Sequence, residues 1–226
     1  MQRIPGMKNP RAGGFPLWLF EFCFDNGLLG RHLINCEIVG GATATGLANP
    51  RPTSGARARF EGAVLRYRRF DTIFLMLGEV DCSVTFWLLA ARSAQAATDF
   101  IPRAVQNIAG MVEWIRKQVP GKAIFLVAAP LPSVTDEQSG QQELPLRQRI
   151  GASLAQRTAL VHAYNRALHA LARQQGLGWI DTIPDLLDPS TGLLDRRFCH
   201  EDRVDHHHCF EKTAPVWRKH LQQHLR

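Results

Sequence analysis

The sequence predicts an α/β fold built on a parallel sheet, and three observations carry that prediction. Two short apolar runs, Ile73–Leu77 and Ala123–Ala128, end at turn residues, which is how strands buried on both faces read. Two long segments, 98–118 and 154–175, place apolar residues at helical spacing. Strand, helix, strand, helix in that order calls for parallel pairing, because parallel neighbours need a crossover connection.

Taken in order, residues 1–14 hold two prolines and three glycines and read as irregular. Residues 17–29 can form a short helix with Leu17, Phe20, Phe24 and Leu28 on one side. Leu33–Val39 is a short strand that runs into Gly40-Gly41-Ala42-Thr43. Glycines there allow backbone N–H groups close to a ligand, or simply make a turn. Residues 46–55 are a loop by composition, and 60–67 a helix leading into the 71–77 strand. Residues 85–92 continue as a helix or helical loop. The 98–118 helix is capped by Thr98 or Asp99, and Pro120-Gly121 stop it. Ile101, Val105, Ile108, Met111, Val112 and Ile115 make its apolar stripe. The second strand runs into Pro130-Leu131-Pro132-Ser133, and 134–150 is a polar loop. In the 154–175 helix Leu160, Tyr164, Leu168 and Leu171 face inward, and Gly176 ends it. Gly178–Ile180 is a short strand finished by Asp181, and 213–226 a closing helix. That makes four strands in one domain spanning 1–226, with no internal repeat and no linker.

The totals exclude several classes. With 226 residues, 45% hydrophobic and 21% charged, the chain is an ordinary globular domain. No apolar run is long enough to span a bilayer, and the first residues lack the order of a signal peptide, which predicts a cytoplasmic protein with no membrane partner. Five scattered cysteines do not form a disulfide framework and read as small buried residues. The net charge of +7 is dispersed and lacks interleaved aromatics, so specific nucleic-acid recognition is not expected. Salt-sensitive attraction to anionic polymers is compatible with it. Nothing calls for a cofactor.

Chemistry can live in two places. The 71–77 strand ends at Gly78-Glu79-Val80-Asp81, two carboxylates at a strand end, where open parallel sheets bind ligands. The plainer reading is that Asp81 caps the next helix. The second place is Cys199 to Cys209, CHEDRVDHHHC. Cys199, His200, His206, His208 and Cys209 suit zinc, but at no compact ligand spacing. Alternatively Asp205 and His208 stand three apart, close enough for the carboxylate to orient the imidazole as a general base. A solvated loop of mixed charge is the third possibility.

In order, GGATATGLANP, LGEVDC and the late Asp205-x-x-His208 resemble the blocks of the SGNH (GDSL-type) hydrolases. They are closest to a branch with a Gly-Glu-(Ile/Val)-Asp-Cys third block. The resemblance covers 33–210. It implies a flavodoxin-like three-layer α/β/α sandwich and ester hydrolysis or carbohydrate O-deacetylation by a Ser-His-Asp mechanism. The substrate would be a small-molecule or carbohydrate ester. Carried over, His208 is the general base, Asp205 its partner, and Gly41 a backbone donor to the oxyanion. Gly78 starts the third block, where Glu79 and Asp81 organise the turn. Two departures stand out. Val80 occupies the place of the asparagine that donates to the oxyanion, and losing one such donor costs about 100- to 1000-fold in rate. No Gly-Asp-Ser block precedes residue 33, and the first serine is Ser54, so nucleophile and central first strand are both missing. Three readings follow: a chain that starts downstream of its true beginning, a binding or scaffold relative that does not cleave, or Cys82 or Ser83 acting as nucleophile.

Overall fold

The computed structural model describes residues 37–49, 54–139, 150–200 and 207–225. Three strands, β1 (Thr72–Met76), β2 (Ala123–Val127) and β3 (Gly178–Ile180), pair in parallel in the order β1-β2-β3. The register sets Phe74 beside Phe125 and Phe125 beside Gly178, with Met76, Val127 and Ile180 two residues further on. Successive side chains alternate across the sheet, so each row belongs to one face. Leu75 and Leu126 join the larger core, while Val127 and Ile180 join a second one beneath Trp217 and Leu221. Gly178 is the small member of its row. A Cβ there would stand 2.1 Å from Phe125 Cδ1, space that the Phe125 ring fills as it packs on Phe74 with centroids 5.2 Å apart.

The helices complete three layers. α1 (Ala56–Arg66), α3 (Ile101–Gln118) and α4 (Leu154–Gln175) cover the larger core, and α6 (Phe210–His224) covers the opposite face. Three short helices lie between them, α2 (Phe86–Ala90), a single turn at Asp136–Ser139 inside the expected 134–150 loop, and α5 (Ile183–Leu186). The expected stripe of α3 is buried at Ile101, Ile108, Met111, Val112 and Ile115, with Val105 half-buried. Ahead of it Asp99 Oδ2 accepts the Ala96 N–H at 2.9 Å, closing a 3-10 turn. α4 starts at a reciprocal cap: Ser153 Oγ accepts the Gln156 N–H at 3.2 Å and Gln156 Oε1 accepts the Ser153 N–H at 2.8 Å. Gly176, at φ 62°, closes it in the left-handed conformation.

Three expectations need correction. Residues 37–39 are not a strand. Glu37 pairs with Arg59 and Arg66 of α1, and Arg59 Nη2 takes the Ile38 carbonyl at 3.1 Å, so this stretch lies along α1 and not in the sheet. The sheet has three strands among the described residues, and residues 33–36 of the expected fourth strand lie outside them. α1 begins at Ala56 and not at 60, and α6 at Phe210 and not at 213, because neither start carries a side-chain cap that the sequence could announce. Cys82, Cys199 and Cys209 are buried and free, as small core residues would be. The expected helix at 17–29, residues 33–36, Cys23 and Cys36, and most of the 134–150 loop lie outside the described residues. No described helix is long and apolar enough to cross a membrane.

Candidate active site

A parallel sheet delivers every loop that follows a strand to the same edge, its carboxyl edge. The loop after β1 opens at Gly78, whose φ of 119° belongs to glycine. From Glu79 the chain turns helical and runs to Ala90 through a wide π turn at Asp81–Thr85. Phe86 N–H donates to Asp81 O, and the Cys82 carbonyl accepts from Trp87 Nε1 at 2.8 Å. Turns of this kind recur at functional sites.

Asp81 does not cap that helix. Its carboxylate is fully buried and crosses to the glycine-rich stretch. Oδ2 accepts the Ala44 N–H at 2.6 Å, and Oδ1 accepts the Thr45 N–H at 3.1 Å and its hydroxyl at 2.7 Å. Asn107 Nδ2 of α3 donates to the Ala44 and Thr45 carbonyls, each at 3.1 Å. The glycine-rich stretch and the turn after β1 are thus locked together. Burial pushes the Asp81 carboxyl above its ordinary value, and the hydrogen bonds from Thr45 and Ala44 oppose that rise. Beside this anchored stretch Gly41 sits exposed at φ 69°, in a turn closed by Ala42 N–H on Val39 O at 3.1 Å. Glu79 and Val80 are half-buried.

His208 reaches the same edge from the other direction. It is buried, pairs with Cys199 in an isolated antiparallel bridge, and places Nε2 2.8 Å from the Leu131 carbonyl in the loop after β2. A carbonyl oxygen only accepts, so Nε2 carries the proton and the neutral ring is basic at Nδ1. Asp205, its expected partner, lies outside the described residues. The loop holding Leu131 is pinned repeatedly. Asn165 bonds both backbone groups of Ala129, at 2.8 and 2.9 Å. Arg196 donates to Ser133 O at 3.1 Å, and the buried Arg157 to Val134 O at 2.8 Å. Asn107, Asn165 and Arg157 are the residues that sequence reasoning missed. Asn165 sits beside Tyr164 on the inward face of a helix, and a polar residue at such a position is the signal that could have found it.

Two candidates fall away as placed. Cys82 is fully buried and its thiol is pushed well up by that burial, while Ser83 is 5% exposed. A nucleophilic thiol needs a lowered pKa and access, so neither residue is poised to attack a substrate. For the metal reading, no three His, Cys, Asp or Glu side chains converge among the described residues. The Cys209 thiol instead donates to Glu211 Oε2 at 3.2 Å. His206 lies outside the described residues.

Burial lowers the His208 pKa from its ordinary 6.5, against the opposing pull of the Leu131 bond. The unfolded chain therefore takes up the proton first as pH falls. The stabilising contribution of His208 is intact above about pH 6.5 and is lost as pH falls through the lower folded value. Asp81 has the opposite sign: its folded pKa is raised, so its contribution is full below about 3.8 and is lost as pH rises through that raised value. Urea melts between about pH 6.5 and 5 should show the parent losing stability more steeply than His208→Gln. Equal slopes would remove His208 as the group responsible.

No family model and no curated protein matches the chain. Solved structures do. A Bacteroides fragilis NCTC 9343 protein assigned as an acylhydrolase superposes with a TM-score of 0.54 at 17% identity, covering 82% of this chain and 71% of that one. An Agrobacterium tumefaciens str. C58 protein assigned as an arylesterase gives 0.51 at 19%, covering 87% and 80%. A GDSL-like lipase from Bacteroides thetaiotaomicron VPI-5482 gives 0.47 at 14%, covering 82% and 71%. At these identities the first two likenesses establish a shared α/β fold.

Proposed function

We propose that this chain, which has the fold of solved proteins assigned to the acylhydrolases and arylesterases, is an ester hydrolase of the SGNH (GDSL) type working by a Ser-His-Asp mechanism, with the Gly-Asp-Ser block that supplies the nucleophile absent from these 226 residues. One observation carries the reading: Asp81 ties the Gly41-containing stretch to the third block, at the sheet edge where His208 is also seated. In this reading Gly41 N–H receives the developing oxyanion, and His208 takes the proton at Nδ1, its basic nitrogen while Nε2–H is held by Leu131, with Asp205 as the carboxylate partner that stabilises the resulting imidazolium. Backbone donors that are already rigid stabilise that charge without reorganising, which is why an anchored loop matters to rate. Substrates would be small esters or O-acetyl groups on carbohydrate. The test is hydrolysis of p-nitrophenyl acetate by the native full-length protein. His208→Ala should lower kcat/KM by about 100-fold or more, the usual share of a general base. Equal rates in parent and variant would overturn the assignment.

A binding protein on the same fold is the second reading. It is favoured by the burial of Cys82 and Ser83 and by Val80, whose side chain cannot donate to an oxyanion. The Nε2–H of His208 is also committed to Leu131 rather than turned to a nucleophile. Turnover that depends on His208 removes this reading. No turnover of p-nitrophenyl acetate or of an O-acetylated carbohydrate by either protein supports it.

A further inference from the structure

The end of the molecule opposite the candidate site carries a concentration of positive charge that the hydrolase reading does not use. α1, α3 and α4 each lead directly into a strand of the parallel sheet, so their last turns meet at its amino edge. Contacts confirm the meeting. Ala123 N–H donates to Asp71 O at 3.0 Å, and the Arg116 guanidinium reaches both Gln175 Oε1 and the Gln175 carbonyl. The three junctions are residues 66–71, 116–122 and 173–177. The first carries Arg66, Arg68 and Arg69, the second Arg116, Lys117 and Lys122, and the third Arg173. Asp71 is the one carboxylate within the junctions, 3.9 Å from Lys122, and Glu37 reaches in from outside them to 3.8 Å from Arg66. All of these cations except Lys122 are exposed.

Helix dipoles explain part of the pattern, since basic residues favour helix C-termini. They account for Arg66, Arg116, Lys117 and Arg173. They do not account for Arg68, Arg69 and Lys122, which lie beyond the helix ends. The layout also has a direction. α3 touches both α1 and α4 and lies between them. Packed helices sit about 8–10 Å apart, so the three basic clusters span roughly 20 Å. That length suits several charged groups in a row rather than one small anion. Five of the seven cations are arginines, whose forked donors match carboxylate and sulfate oxygens. The surface offers little to other polyanions. Leu65, at 47%, is the one exposed large hydrophobic residue among those described, which leaves no apolar wedge for a bilayer. Tyr67 is engaged by Phe70, with centroids 5.7 Å apart, and by the Arg66 guanidinium, so it is not an open platform for bases.

We propose that this pole is a docking surface for a linear acidic polysaccharide, whose carboxylates or sulfates pair with the arginines of the three junctions. The site at the other end of the sheet plays no part in it, so the proposal stands apart from the hydrolase reading.

The experiment measures binding of the full-length protein to fluorescent polygalacturonate and heparin across a salt series. Single-stranded DNA and phosphatidylserine vesicles serve as competing probes. The charge reversal Arg68→Glu/Arg69→Glu/Lys117→Glu is compared with a reversal of the same size elsewhere, Arg92→Glu/Arg103→Glu/Arg166→Glu, all six residues being exposed. The pole variant should lose about tenfold or more in polysaccharide affinity at about 0.1 M salt, and the control variant far less, because the effect of charge there falls off within a Debye length of about 10 Å. Arg68→Gln/Arg69→Gln should show the same direction with unaltered melting, so the result does not depend on the reversal folding well. Equal losses in pole and control variants overturn the proposal, since net charge alone would then suffice. So does tighter binding to DNA or vesicles than to either polysaccharide.

Discussion

Asp81→Ala should destabilise the fold by about 3 kcal/mol or more and free the 43–46 stretch, since each buried donor left without an acceptor costs about 1–3 kcal/mol. Three donors lose their acceptor at once: the Ala44 and Thr45 N–H groups and the Thr45 hydroxyl. Asn107 would still hold the carbonyls of Ala44 and Thr45, so the stretch should loosen rather than detach. Asp81→Asn separates charge from geometry. Its single carbonyl oxygen can accept on one side only, while its NH2 faces donors on the other, so about half the loss should return. Urea melts read the stability, and hydrogen exchange at the Ala44 amide reads the anchoring. A variant that melts with the parent and keeps that amide protected would show that the carboxylate is incidental. If the hydrolase reading holds, the same substitution should lower kcat more than it raises KM, because a displaced oxyanion donor is missed chiefly in the transition state.

The fold was legible wherever local chemistry and burial point the same way. The two apolar runs do form strands, β2 mostly buried and β1 half-buried except at Leu75, and their helices carried stripes at the right spacing. Gly176 and Pro120-Gly121 marked the ends where the chain does turn. The failure at 37–39 has a tertiary cause. Val39 and its neighbours are apolar enough for a strand, but the Ile38 carbonyl is claimed by Arg59, some twenty residues on. No local pattern records that competition. Helix starts failed for a related reason, since both misplaced helices begin without a side-chain cap.

The candidate site divides in the same way. Gly78 and Asp81 could be picked out because a glycine and two carboxylates are conspicuous straight after an apolar run, Gly41 because it stands in a Gly-Gly pair, and His208 because it belongs to a dense polar cluster. What Asp81 does could not be read. Its partners are backbone amides at positions 44 and 45, and backbone groups leave no trace in a sequence. The same holds for His208 on Leu131 and for Asn165 on Ala129. Cys82 shows the converse error. It stands next to a candidate carboxylate in the chain, yet helical geometry turns it into the core, where a thiol stays protonated.

Gly78→Ala is expected to be the most damaging single-methyl change near the site. Two independent costs add. The backbone at φ 119° is strained for any residue with a Cβ, by about 1–3 kcal/mol. The new methyl would also stand 2.2 Å from Tyr164 Cε1 and 2.5 Å from Cζ. Forcing a group into a filled core adds about 1–3 kcal/mol. The Tyr164 ring has little room to yield, for it is fully buried, packs near Phe86 with centroids 6.3 Å apart, and donates its hydroxyl to Leu77 O at 3.0 Å. A double-mutant cycle with Tyr164→Leu distinguishes the two costs. Removing the ring should recover the clash and leave the backbone strain, so the pair should cost less than the sum of its single changes. Additive costs would show that the ring is not the obstacle. The damage should also travel. The Gly78 carbonyl accepts the Cys82 N–H at 2.9 Å, so the turn sets the start of the helix that carries Asp81. Shifting that start moves the carboxylate relative to Ala44, and Gly78→Ala should therefore expose the Ala44 amide to exchange although it alters no atom that touches it.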